Sequence, residues 1–324
     1  MDSKSTISNF LRFWNHLKSM RSFTVLIALL VLMTVATFLS PHFLRPANLV
    51  NVIRQISISG ILAIGMTFVL LTGGIDLSVG ATMGVVAVVV ARMLESGLSP
   101  MLAVPTALLI GILIGLINGL GITYGRITPF VMTLGTQTAL RGAALLIANG
   151  SPVSWRHGGH DFIFLGQGDI MGIPVPVYVF LSVFIVAFLV LRYTYFGRST
   201  FALGDSRETA KLSGINVTRS EILVYVVAGF LAALSALVLI SRLRVGEPTA
   251  GTGFELDAIA MSVIGGTSTA GGIGGVTGTL IGASILSVLQ NLLNMVGISP
   301  FIQRIVMGLI IILAVLLERG RKRH

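Results

Sequence analysis

Cysteine is absent from the 324 residues, which excludes disulfides, thiolate-held metals and thiol nucleophiles. Charge is scarce: Asp, Glu, Lys and Arg make up 10% of the chain, against roughly 25% in a soluble domain. A phosphate-binding loop needs a glycine directly before its lysine, because that lysine must reach the phosphates. Lys4, Lys18, Lys211 and Lys322 follow Ser, Leu, Ala and Arg instead. No nucleotide site of that kind is present in the sequence, and no cofactor is expected. Acidic groups at membrane depth reduce to Asp76, which leaves a proton-coupled carrier poorly equipped.

What is abundant is apolar. Hydrophobic residues reach 54% and the mean hydropathy is +0.94, values of an all-α polytopic membrane protein in a lipid bilayer. The 38 glycines indicate close helix packing or broken helices. The net charge of +10 comes from basic residues flanking apolar runs rather than forming one stripe, so no nucleic-acid partner is expected.

Residues 1–21 place Lys4, Arg12, Lys18 and Arg21 beside Phe10, Phe13, Trp14, Leu17 and Met20, the pattern of a cytoplasmic interfacial helix. A permease domain over 22–317 and a basic tail over 318–324 follow. About ten transmembrane helices are expected, at 23–39, 58–72, 79–94, 101–124, 129–148, 177–191, 222–240, 258–266, 276–296 and 301–317, several of them short against the roughly 20 residues a bilayer requires. With the N-terminus inside, most of the 22 Lys and Arg fall on the inner side, so both termini and a loop over 192–220 are assigned to the cytoplasm. Arg45, Arg54, Arg242 and Arg244 run against that bias.

Two glycine-broken, repeat-related segments lie between apolar runs. TGGIDLSVGATMG at 72–84 lines up with IGGTSTAGGIGGVTG at 264–278 if two residues are inserted in the second. Interrupted segments at corresponding places in two halves point to a transport pathway. The candidates are Gly73, Gly74, Asp76, Ser78, Gly265, Gly266, Thr267 and Ser268. Asp76 has two readings: a functional carboxylate, or a cap on a helix starting near Ser78; Glu255 and Asp257 are expected to cap in the same way. Gly111, Gly115 and Gly119, and Gly274, Gly278 and Gly282, are spaced for close helix contact. His157, His160 and Asp161 lack a supporting element for a metal, and no metal site is assigned.

The one long polar interval is 196–217. Asp205 and Glu208 have capping-box spacing, Ala210, Lys211 and Leu212 continue a helix, and Gly214 can end it. The resulting short helix lies outside the membrane and offers Ala210, Leu212 and Ile215 to a partner, or is a solvated linker.

These motifs, with Met66-Thr67, Gly74-Ile75-Asp76-Leu77-Ser78-Val79-Gly80, Asn149-Gly150-Ser151-Pro152-Val153, Ala202-Leu203-Gly204, Leu212-Ser213-Gly214-Ile215-Asn216-Val217, Pro248-Thr249-Ala250-Gly251-Thr252-Gly253 and Gly265-Gly266-Thr267-Ser268, carry a resemblance. Over nearly its whole length the chain is similar to permease subunits of the ribose/xylose/arabinose/galactoside class of bacterial ABC importers, and within that class to its ribose-type members. The resemblance implies an inner-membrane permease homodimer, a cytoplasmic ABC ATPase that meets the loop ahead of Val217, and a periplasmic sugar-binding protein. It assigns ATPase coupling to Asp205, Glu208, Ala210, Lys211, Leu212 and Gly214. Ser206 and Arg207 depart from the family pattern. An ion-coupled sugar carrier and a non-transporting scaffold are the alternatives.

Overall fold

Proline sets where many helices begin, since its missing N–H is one of the donors a first turn leaves unpaired. The computed structural model describes residues 21–155 and 160–321. The interfacial helix expected over 1–21, His157 and the last three residues of the basic tail lie outside these, apart from Arg21. Among the described residues thirteen helices run in order. They are α1 Arg21–Leu39, α2 Pro46–Leu71, α3 Val79–Glu95, α4 Pro100–Thr123, α5 Pro129–Ala148, α6 His160–Gln167, α7 Val175–Tyr193, α8 Tyr195–Asp205, α9 Arg207–Leu212, α10 Val217–Leu243, α11 Phe254–Ile264, α12 Val276–Met295 and α13 Pro300–Arg321. Pro46, Pro100, Pro129 and Pro300 are first residues, and Pro176 is the second of α7. Helix α13 extends through Arg321, so the first part of the expected tail is helical. Four two-residue strands complete the fold: β1 Val153–Ser154 pairs antiparallel with β4 Val245–Gly246, and β2 Asp169–Ile170 with β3 Ile173–Pro174.

Six of these helices, α2, α4, α5, α7, α10 and α12, are long and apolar enough to cross a membrane; 24–39 and 300–313 are shorter apolar stretches. Helix α2 begins twelve residues before the span expected at 58–72. Its first half carries Asn48 and Gln55, whose polarity hides the helix from a hydropathy reading. Both are paired across to α12, Asn48 Nδ2 donating to Asn291 Oδ1 at 3.0 Å and Gln55 Nε2 to Gln290 Oε1 at 2.7 Å.

The span expected at 258–266 is corrected. Helix α11 has eleven residues, about 16 Å of length, and cannot cross the roughly 30 Å hydrocarbon core alone. The segment before it runs alongside α3: a Cβ on Gly246 would strike the Ala87 carbonyl, and one on Gly251 would lie 2.5 Å from Gly80 O. Irregular backbone packed this tightly against a helix survives only where its polar groups are satisfied inside the protein. Arg141 of α5 does this, Nη1 donating to Ala250 O at 2.8 Å and to Pro248 O at 3.3 Å.

Helix α10 is central, packed on α2, α3, α4 and α6. In lipid no hydrophobic force draws helices together, so close backbone approach must hold them. A Cβ on Gly111 would overlap Gly229 O, one on Gly115 would overlap Tyr225 O, and one on Gly119 would sit 2.8 Å from Ile222 Cα. The glycine ladder on α4 is therefore a helix contact, as its spacing indicates. On α12 only part of the second ladder holds. Gly278 presses on Gly265 and Gly282 on Met261, but Gly274 precedes the helix, in a loop at φ 139°, and belongs to no helix face. Outward faces of α7 carry Leu181, Ile185, Val186 and Leu189, side chains suited to lipid.

Candidate coupling and pathway site

Both expected glycine breaks are real interruptions, and both helices stop by the same device. At the end of α2, Gly73 takes φ 74°, with Gly73 N–H donating to Leu70 O at 2.9 Å and Gly74 N–H to Val69 O at 3.1 Å. At the end of α11, Gly266 takes φ 94°, with Gly266 N–H donating to Val263 O at 2.8 Å and Thr267 N–H to Ser262 O at 2.9 Å. This is the left-handed C-terminal motif in which two orphan carbonyls are satisfied, and glycine takes that φ without a Cβ clash. The left-handed residues, 73 and 266, stand one position out of the register in which the two stretches align.

The two breaks touch each other and the end of α8. Gly272 N–H donates to Leu71 O at 2.9 Å. A Cβ on Gly271 would lie 2.8 Å from Gly204 Cα and 2.9 Å from Gly73 N, and one on Gly204 would overlap Leu71 O and Gly272 N. Three segments distant in sequence thus meet backbone on backbone, with no flexible side chain between them to absorb a shift. Above this node Thr67 Oγ1 lies 2.6 Å from Thr279 Oγ1 and 3.1 Å from Ser262 Oγ, a buried hydroxyl cluster joining α2, α11 and α12. Thr267 and Ser268 are buried in the second break.

Asp76 is 1% exposed. Its Oδ1 accepts from Ser78 N at 2.9 Å and from Ser78 Oγ at 2.6 Å, so the carboxylate serves the chain just ahead of α3. Ser78 Oγ accepts in turn from Asn118 Nδ2 at 2.8 Å, and Thr136 Oγ1 donates to Asn118 Oδ1 at 2.7 Å. The chain of hydrogen bonds ties the first break to α4 and α5. Glu255 and Asp257 lie in the first turn of α11, but neither caps it, which corrects that expectation: the N-cap is Gly253 with no side-chain cap bond, Glu255 Oε1 accepts from Gly253 N and Gln137 Nε2, and Asp257 Oδ2 from Gln290 Nε2. Asp76 does not cap α3 in the expected sense either, because Ser78 is the N-cap residue and no side-chain cap bond is made to the first turn. Asp76→Asn keeps the acceptor oxygen and is expected to retain most transport, whereas Asp76→Leu, which leaves the buried Ser78 donors unpaired, should cost about 1–3 kcal/mol of stability. Thermal denaturation and uptake measured together check this; lost uptake in a normally stable Asn variant would assign the role to the charge.

The short polar helix is present as α9, with its start corrected by one residue. Asp205 is the last residue of α8, so its N–H lies within that helix and cannot serve a capping-box glutamate. Ser206 caps instead, at φ −157°, its Oγ accepting from Thr209 N at 3.2 Å. Glu208 and Lys211 are exposed on α9. The far end is as expected: Gly214 takes φ 78°, Gly214 N–H donates to Lys211 O and Ile215 N–H to Ala210 O, both at 3.0 Å. Ala210 is 2% exposed and is packed within the chain, which corrects its reading as an outward contact; Leu212 is 84% exposed. The preceding stretch is no solvated loop. Helix α8 buries Gly197, Ser199, Thr200 and Leu203, and Phe196 stacks on Phe68 of α2 with centroids 5.9 Å apart.

Two features have no counterpart in the sequence reading. Arg207 forms an ion pair with Glu221, whose side chain is 4% exposed. A cavity of about 470 Å³ lies beside the pair, lined among others by Thr72, Gly73, Gly74, Arg126, Arg207 and Glu221. Fourteen residues separate the pair, a distance no local motif covers. His160 and Asp161 open α6, away from this site.

Residues 48–315 match the family described as branched-chain amino acid transport system / permease component. The chain is 45% identical over 295 residues to the ribose import permease protein RbsC of Bacillus subtilis (strain 168), covering 91% of this chain and 92% of the relative. It is 42% identical over 317 residues to the ribose import permease protein RbsC of Haemophilus influenzae (strain ATCC 51907 / DSM 11121 / KW20 / Rd), covering 97% of each. It is 34% identical over 320 residues to the L-arabinose transport system permease protein AraH of Escherichia coli (strain K12), covering 99% of this chain and 95% of the relative. No solved structure matches.

Proposed function

We propose, for a chain that belongs to the branched-chain amino acid transport system / permease component family, a specific route from ATPase to sugar pathway. The chain is the membrane permease subunit of an ABC sugar importer, and ATP is hydrolysed by a separate subunit. In our reading it crosses the inner membrane ten times as half of a homodimer, with both termini cytoplasmic. The segment 246–253 and α11 together make one crossing. A periplasmic binding protein delivers a ribose-like pentose, a hexose or a polyol, and the pathway runs by the two glycine breaks, which we take as repeat-related. The partner ATPase grips α9.

One observation carries this reading: Gly204, at the end of the helix leading into α9, is wedged between Leu71 and Gly272 of the two breaks. A push on α9 therefore reaches the pathway through backbone contacts. Interiors packed this closely transmit strain rather than dissipate it. Asp76, the acid an ion-coupled carrier would use, is engaged with both donors of Ser78.

The test is reconstitution into liposomes with the cognate ATPase and binding protein. Uptake of labelled ribose is expected only with ATP on the ATPase side and the binding protein on the other. Uptake by the permease alone under a proton or sodium gradient would overturn the reading, as would failure of the ATPase to co-purify, the behaviour of a scaffold.

A further inference from the structure

Helix α9 is six residues long, about 9 Å, and its links to the chain are slender. Ser206 alone joins it to α8, and residues 213–216, including Gly214 at φ 78°, lead to α10. Torsion in such a linker could absorb a displacement of α9 before it reached a span. The Arg207–Glu221 pair bypasses that linker by joining the first residue of α9 directly to the second turn of α10.

The two ends differ in a way that suits transmission. The Arg207 side chain is 54% exposed, whereas that of Glu221 is 4% exposed. Arg207 is the sole ion-pair partner of Glu221 among the described residues. A buried carboxylate separated from its cation is costly, so Glu221 follows Arg207 rather than release it. One turn further along α10 stands Tyr225, 0% exposed, whose hydroxyl has no hydrogen-bond partner among the described residues. That hydroxyl occupies the place a side chain at Gly74 would take, 2.5 Å from an ideal Cβ. Arg207, Glu221, Tyr225 and Gly74 thus form a line from coupling helix to first break. The neighbouring cavity of about 470 Å³, lined by Gly74, Arg207 and Glu221, leaves room for the line to move.

We propose that the Arg207–Glu221 ion pair is the strap that makes α10 follow α9, with Arg207 a positioning residue that delivers the ATPase stroke to the first glycine break through Glu221 and Tyr225. This rests on the functional reading above and names a second route beside the Gly204 contact.

The experiment uses the complete transporter in liposomes, with ribose uptake, ATP hydrolysis stimulated by the loaded binding protein, and ATPase attachment measured in parallel. In Arg207→Gln, attachment and hydrolysis are expected within twofold of wild type while sugar moved per ATP falls at least tenfold. Arg207→Lys keeps the cation and should restore at least half of that ratio. Glu221→Gln, which abolishes the pair from its other end, should lower the ratio in the same way. The split between hydrolysis and uptake is what a merely structural role would not produce. Arg207→Gln with uptake within twofold of wild type overturns the strap, and so does uptake lost together with ATPase attachment, which would make Arg207 a docking contact. Absence of ATP-dependent, binding-protein-dependent uptake in the wild type overturns the functional reading and the strap with it.

Discussion

A single methyl group added in Gly204→Ala is expected to cut energised sugar uptake at least tenfold and to lower the melting temperature of the purified permease by several degrees. The new Cβ would overlap Leu71 O and Gly272 N, and both are backbone atoms with no rotamer to yield. Overpacking of this kind costs about 1–3 kcal/mol. The structure can relax only by withdrawing α8 from the two breaks, which is the contact through which we have the stroke pass. Local propensity acts in the opposite direction, since alanine is about 1 kcal/mol better than glycine inside a helix. A loss therefore reports packing alone. Gly135→Ala is the matching control: it lies on α5, where a Cβ would meet nothing within 4 Å, so uptake should stay at the wild-type value and the melting temperature should hold or rise slightly with the helix propensity of alanine. Wild-type melting and uptake in Gly204→Ala would mean that the three segments are not in backbone contact in the working transporter.

The second large effect is expected at Leu212. This residue ends α9 with 84% of its surface exposed, an apolar side chain held out from a helix whose own inward contact is Ala210. Interfaces concentrate binding energy in a few such anchors. In Leu212→Asp, a carboxylate would enter the partner's apolar pocket, and ATPase affinity should fall at least tenfold, equivalent to about 1.4 kcal/mol. Uptake should fall with it. Stability should not change, because Leu212 is not buried in this chain, and Leu212→Met should behave as wild type. Titration of the ATPase onto permease held in nanodiscs measures the affinity directly. Full attachment and sugar-stimulated hydrolysis in the Asp variant would make α9 a linker.

Features governed by neighbours along the chain are legible in the residues themselves. The left-handed stop at Gly214 follows from a glycine after a short run of helix formers. The Gly111, Gly115 and Gly119 contact follows from a four-residue period that bares one helix face. The start of α9 falls one residue away from its expected place because the spacing of Asp205 and Glu208 does not say that α8 continues through Asp205 and takes its N–H. The inward position of Ala210 is hidden for a related reason: on so short a helix, which side faces inward depends on what packs beneath it.

Composition and hydropathy were sufficient, by themselves, to determine that this protein is a helical, multi-pass membrane protein; its glycine interruptions and short polar helix are written in local motifs, and the permease role is carried by family resemblance. In lipid every backbone group must be bonded within its own segment or to a neighbour, so long apolar runs and their breaks are local properties of the chain. Only the tertiary structure decided that both breaks converge on Gly204, that Arg141 sustains the irregular approach to α11, that Asn48 and Gln55 lie within α2, and that Arg207 is held by Glu221. Each of these is a pairing between residues far apart in the chain, and its energy exists only once the helices have packed.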